Sequence, residues 1–115
     1  MTHQVHKAVV FPCAAGTNDN DIIVTIKDDA LHYDTWELAS SAGAMDVQVS
    51  ILDTTNFLAT QIALMDDTST TPSTLVIETT AGKLAIFRGK FTAVQVRQKG
   101  ATAVAGASLL GYRTT

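Results

Sequence analysis

The chain has 115 residues, 46% of them apolar and 17% charged, with a formal net charge of −3 and a pI near 5.4. That length makes one domain, 1–115, able to take roughly two thirds of its unfolded surface out of water without covalent staples. The single cysteine, Cys13, excludes an intrachain disulfide and a cysteine-based zinc site. An acidic pI argues against nucleic acid as a partner, and no apolar run reaches the ~20 residues of a membrane span.

The charged fraction lies below the usual quarter, which has two readings. Some surface is covered by a partner, or the 17 threonines, well suited to exposed strand faces, solubilise the protein in place of charges. The opening Met-Thr-His-Gln-Val-His-Lys has no basic region followed by an apolar core, so it does not read as a signal peptide. Folding in a reducing cytoplasm is expected.

Residues 5–11 form a short apolar strand, stopped by Pro12 and the turn cluster around Gly16, with residues 1–9 a candidate N-terminal arm that orders on binding. Residues 21–27 are the strongest β-branched run and end at Asp28-Asp29, a turn or a charge break at a strand end. Residues 31–38, with Tyr33 and Trp36, predict another strand. Residues 45–52 alternate with period two: Val47, Val49 and Ile51 fall on one face and Asp46, Gln48 and Ser50 on the other.

Asp53-Thr54-Thr55-Asn56 is a tight-turn sequence, followed by a strand over residues 57–64 and a loop over residues 66–73. Residues 75–79 and 83–88 predict a hairpin turning at Gly82. Residues 91–98, with Thr92, Val94 and Val96 inward and Gln95, Arg97 and Lys99 outward, predict a second hairpin that turns at Gly100 into residues 102–113. That last strand is apolar on both faces and contains Gly106 and Gly111, as expected of a strand buried on both sides or approached closely by another backbone. The sum is an all-β chain, an antiparallel β-sandwich or jelly roll of about eight strands.

Charge is unevenly spread. Residues 1–78 hold eleven acids against two bases, a net of −9, and residues 79–115 hold six bases and no acid, a net of +6. If the halves intermix in a sandwich, the result is ordinary cross-strand pairing. If they segregate, opposite faces suit contacts between copies or docking on a charged scaffold.

Catalytic, metal and cofactor sites find no motif. His3 and His6 sit at a terminus, and His32 lacks a nucleophile in an elbow context. Asp28-Asp29 and Asp66-Asp67 are adjacent pairs, which a strand would turn to opposite faces. The run Asn18-Asp19-Asn20-Asp21 lacks the spacing of a calcium loop. Phe87, Arg88, Lys90, Phe91, Arg97 and Lys99 interleave aromatics with bases as in nucleic-acid binders, but net charge and strand placement oppose that reading. No enzyme and no cofactor are expected.

The order of a Trp-containing strand, a Gly turn, Asp46-Val47-Gln48-Val49-Ser50 and Asp53-Thr54-Thr55-Asn56-Phe57 resembles the V-x-V-S-x-D-G-T-N-F block of small tailed-bacteriophage virion proteins. Residues 91–97 and 100–106 resemble the closing hairpin of the same group, so the resemblance spans residues 36 to 113. Ile51-Leu52 and Thr55 depart from it around the turn. Similar blocks occur in discoidin-type sugar-binding modules.

The resemblance implies a virion structural protein at the capsid surface: a decoration (cement) protein that oligomerises and binds the major capsid protein or other virion proteins. A neck, tail-adaptor or fibre component is the nearest alternative. Under the cement reading the contact residues are Arg97, Lys99, Leu109, Leu110, Tyr112 and Arg113, with the N-terminal arm. A third reading is a carbohydrate-binding module stacking sugars on Trp36, Tyr33 and Tyr112.

Overall fold

A computed structural model describes residues 8–51, 53, 55–59, 61–64, 73–76 and 78–114. Its strands are β1 (Ala8–Phe11), β2 (Ile22–Lys27), β3 (Thr35–Ala39), β4 (Ala44–Ser50), β5 (Leu58–Ala59) and β6 (Gln61–Leu64). They continue with β7 (Ser73–Val76), β8 (Glu78–Thr79), β9 (Ala85–Arg88), β10 (Ala93–Lys99) and β11 (Ser108–Tyr112). One sheet has the order β1-β11-β3-β9, and the other β2-β10-β4-β5 with β8 also on β4. The strands β6 and β7 pair with each other, and every pairing is antiparallel. The all-β sandwich expected from the period-two alternation is the observed class.

The core lies between the sheets. From the first come Trp36, Leu38, Phe87 and Leu109, and from the second Val24, Ile26, Met45, Val47, Val94 and Val96. Each such side chain contributes roughly 1.5–3 kcal/mol by leaving water. In β4 the alternation holds at Val47 and Val49, but Ile51 lies past the strand end and is 65% exposed. In β2 a register shift against Val96 and Arg97 lets consecutive Ile23 and Val24 both face the core, leaving Ile22 outside. A bulge does this by setting two residues opposite one.

Neither expected hairpin exists. Both edges of β10 are taken, by β2 and β4, so residues 100–107 carry the chain across to the other sheet, where β11 fits between β1 and β3. The turn at Gly82 is real, with φ +76°, yet β8 pairs with β4 and β9 with β3. Thus the chain changes sheet at nearly every step outside β4 to β8. Residues 31–38 also differ from expectation. Asp29–His32 is a 3-10 turn anchored by buried Ala30, and the strand begins only at Thr35.

Of the candidate arm, Ala8 and Val9 pair with Tyr112 and Gly111, while residues 1–7, with His3 and His6, lie outside the described residues. So do residues 66–72 of the expected loop, including Asp66 and Asp67; Ser73 opens β7.

The crossings are held by backbone contact. Ala42 and Ala105 form a bridge, and the Gly16 N–H donates to Val104 O at 3.0 Å. Gly43 sits in this seam at φ +80°, where a Cβ would come within 2.8 Å of Ala103 O and 2.9 Å of Val104 Cα. We expect Gly43→Ala to lower the urea midpoint by an amount equivalent to at least roughly 1–3 kcal/mol of backbone strain. Equilibrium denaturation followed by Trp36 fluorescence checks this, and an unchanged midpoint would mean that the seam yields freely.

Candidate interaction surface

The six residues expected to make contacts are divided between the sheets. Arg97 stands on the outer face of the second sheet, opposite Asp46 in the ladder, and its Nε donates to Gln95 Oε1 at 2.7 Å. Lys99 closes β10 and is exposed. Leu110 and Tyr112 are on the outer face of the first sheet, and exposed Arg113 follows them. Leu109 is corrected: it is 0% exposed between the sheets and cannot touch a partner. Alternation along β11 turns only one of the two adjacent leucines outward, and Gly111, packed against Phe11, Trp36 and Tyr33, fixes which one.

At Arg97 and Asp46 the acidic and basic halves of the sequence meet on neighbouring strands, which is the intermixed arrangement. Gln95, expected outward, does lie on the outer face. It is buried nonetheless, because β10 is flanked on both sides and Gln95 donates to Thr25 Oγ1 at 3.1 Å.

The outer face of the first sheet mixes apolar and polar side chains. Val10, Leu110, Glu37 and Ile86 form one row across the four strands, and Ala8, Tyr112, Thr35 and Arg88 the next. Val10 is 65% and Ile86 52% exposed, and Leu84, beside β9, is 57% exposed. Glu37 is half-buried in the middle, accepting the Tyr112 hydroxyl at 3.4 Å. The alternation of Ala-Ile-Phe-Arg at residues 85–88 could have pointed to Ile86 and Arg88; only the register shows that they share a face with Leu110.

The sugar-stacking residues are not a platform. Trp36 is fully buried, stacked on Phe87 at 6.1 Å and 9°, and its Nε1 donates to Gly89 O at 3.1 Å. Tyr33 is buried edge-on to Phe11 and Trp36. Only Tyr112 of that set reaches the surface.

The polar loops spend their carboxylates on themselves. Asp21 Oδ2 accepts the Thr17 and Asn18 backbone N–H groups at 2.9 and 2.8 Å, and these bonds hold its carboxyl below the usual range. Asp19 accepts the Gly100 N–H at 2.8 Å. Among the described residues no group of three or more His, Cys, Asp or Glu side chains is placed to share a metal ion. His32 is exposed on the 3-10 turn, and burial pushes the half-buried Cys13 thiol up.

The densest network is at Asp53, which the sequence marks only as part of a turn. Its Oδ1 accepts the Asn56 and Thr55 backbone N–H groups at 2.8 and 2.9 Å, and its Oδ2 accepts Asn56 Nδ2 at 2.6 Å. Its backbone oxygen accepts the Thr92 hydroxyl, which also donates to Ser50 O at 2.8 Å. The Asn56 N–H, then that of Thr55, hold the Asp53 carboxyl far below the ordinary carboxylate range.

A depressed folded-state pKa gives stability that is complete above the unfolded value near 3.9 and is lost as pH falls through the lower folded value. We therefore expect Asp53→Asn to be less stable than the parent at pH 7, with the gap closing only under strongly acidic conditions. Paired urea titrations at neutral and low pH check this; a gap independent of pH would show that the charge does not hold the turn.

No family model matches the sequence, and no curated protein matches it. Among solved structures the chain is similar to the crystal structure of the SPBc2 prophage-derived protein YomS, with a TM-score of 0.59 and 9% sequence identity. The similarity covers 97% of this chain and 96% of that one. What the two share is the fold.

Proposed function

We propose that the chain is a non-enzymatic virion structural protein, a capsid decoration protein that binds the outside of the head shell. The observation that carries this reading is the full-length likeness of fold to a prophage-derived protein. The winding supports it. With the β5–β7 excursion set aside, the strands run first-eighth-third-sixth in one sheet and second-seventh-fourth-fifth in the other. That is jelly-roll order, an architecture that viral capsid domains use.

The mechanism is mechanical. Each copy bridges neighbouring subunits of the major capsid protein, and the apolar surface and ion pairs buried there help the shell resist the pressure of packaged DNA. The partner is protein, and no cofactor takes part.

Co-sedimentation of the purified protein with expanded phage heads lacking it, beside a tail fraction, tests the reading. We expect saturable binding to heads in many copies. Binding confined to tails would move the assignment to a neck, tail-adaptor or fibre component, and binding to neither would overturn the virion reading.

A further inference from the structure

We propose that residues 61–77 are an insert in one edge strand of the sandwich, and that the hairpin it carries is a dimerisation arm, pairing edge to edge with the same hairpin of a second copy. The inference goes beyond head decoration, and it is a property of the protein alone.

The ladder on β4 reveals the insert. One edge of β4 is taken along its whole length by β10, so β5 and β8 share the other. Leu58 and Ala59 face Val49 and Gln48, Glu78 and Thr79 face Asp46 and Met45, and both short strands run antiparallel to β4. Only the position of Val47 separates them. A strand continued from Ala59 in the same register would bring residue 60 to Val47 and residue 61 to Asp46, where Glu78 stands instead. The two are halves of one strand, the fifth in the jelly-roll order, with 61–77 added between them.

The insert supplies a sheet of its own. Among the described residues, Gln61–Leu64 and Ser73–Val76 pair only with each other. Two strands alone are marginal in water, and a third strand or a packed face is needed for stability. The edges indicate where that strand is added. Each open edge of the sandwich carries or adjoins a charge, Lys7 before β1, Lys27 in β2, Glu78 in β8 and Arg88 in β9, the usual guard against pairing between chains. Residues 61–64 and 73–76 carry no charge and hold Ile62, Leu64, Leu75 and Val76. The unguarded edges of the described chain are the hairpin's own, so the matching edge is the one a second copy brings.

Symmetry fixes the register. A two-fold axis normal to the hairpin lays β7 antiparallel to β7 of the other copy and keeps like faces together, so that one residue faces itself at the axis. Centred on Thr74, the pairing would set Pro72, which has no N–H to donate, opposite Val76. Centred on Leu75, it sets Leu75 opposite Leu75 and Thr74 opposite Val76, with no charge in the ladder. The dimer then holds a continuous sheet of order β6-β7-β7-β6, past the three strands that an independent sheet needs.

Sedimentation equilibrium over a wide concentration range, beside urea titration, is the test. The parent chain is expected to show a monomer–dimer equilibrium. The variant lacking residues 61–77, with Thr60 joining Ala59 to Glu78, is expected to be monomeric and to unfold at the parent's urea midpoint or above it. Leu75→Lys and Leu75→Glu each set like charges against one another at the axis, and each is expected to weaken the dimer roughly tenfold. Their equimolar mixture is expected to recover association, because Lys then faces Glu. An excised variant that fails to fold, or that still dimerises, overturns the proposal, as does a mixture that does not recover. A parent chain that stays monomeric also overturns it, and loss of head binding on excision would then give the arm to the capsid subunit. The solution outcomes need no phage heads, so failure here is distinguishable from failure of the decoration reading.

Discussion

Trp36→Ala is expected to leave most of the protein unfolded at 25 °C in mild denaturant, with a loss of roughly 3–5 kcal/mol. Trp36 is the hub of an aromatic cluster: Phe87 and Phe11 stack on it, and Tyr33 meets it edge-on at 5.7 Å. Alanine removes these contacts and leaves a cavity that strands β1, β11 and β9 cannot close without breaking register. It also removes the donor to Gly89 O, stranding a carbonyl at the start of the link into β10. Against a total of about 5–15 kcal/mol, such a loss decides the folded fraction. Trp36→Phe keeps a stacked ring but not the donor, and a smaller loss of roughly 1–3 kcal/mol is expected. Urea titrations of both variants by far-UV circular dichroism measure the difference; equal losses would place the whole effect in the lost hydrogen bond.

The second large effect is expected at Gln98. Its side chain is fully buried, its Nε2 donates to Gly100 O at 2.9 Å, and its Oε1 accepts the Val104 N–H at 3.1 Å. Its backbone also donates to Asp21 O and accepts from Asn20, so one residue ties the crossing over residues 100–107 to the loop before β2. Gly16 lies directly against the amide oxygen, where any Cβ would collide with it. Gln98→Leu fills the space but leaves the buried Val104 N–H without its acceptor. A cost of roughly 2–4 kcal/mol is expected. The crossing should loosen first, so limited trypsin digestion of the variant is expected to cut after Lys99 well before the parent chain is touched. Cleavage at the same rate in both would show that the backbone bonds alone hold the crossing.

Gln98 also shows where sequence reading reaches its limit. Alternation in β4 and β10 is legible because one face of each is apolar: Val47, Val94 and Val96 are all fully buried, as their spacing predicts. Which strand pairs with which is not legible in the same way. Gly100 and Gly82 mark genuine turns, with φ of +90° and +76°, but a turn residue does not say whether the next strand joins the same sheet or crosses to the other. A buried polar residue such as Gln98, read from the pattern alone, is simply the last position of a strand.

The misplacing of Leu109 has a related reason. Leu109 and Leu110 are chemically alike, and with Gly111 beside them no period-two contrast is left to say which one faces inward. Their orientation is set by Trp36 and Leu38 across the register, which only the fold supplies. Val10 and Ile86, which share a row with Leu110, are far apart in the sequence.

That same register sets a schedule for synthesis. Since β1 pairs with β11, the first described strand finds its partner only after Tyr112 has cleared the ribosome. At about 5–20 residues per second, the N-terminal strand waits several seconds or longer with its pairing edge open. Trp36 and Leu38 are translated early, yet both of their neighbouring strands, β9 and β11, arrive late. The nascent chain thus carries Trp36 and Leu38 without their neighbouring strands through most of translation. Its yield in a cell is expected to depend on chaperone capacity more steeply than that of a sheet built from consecutive hairpins.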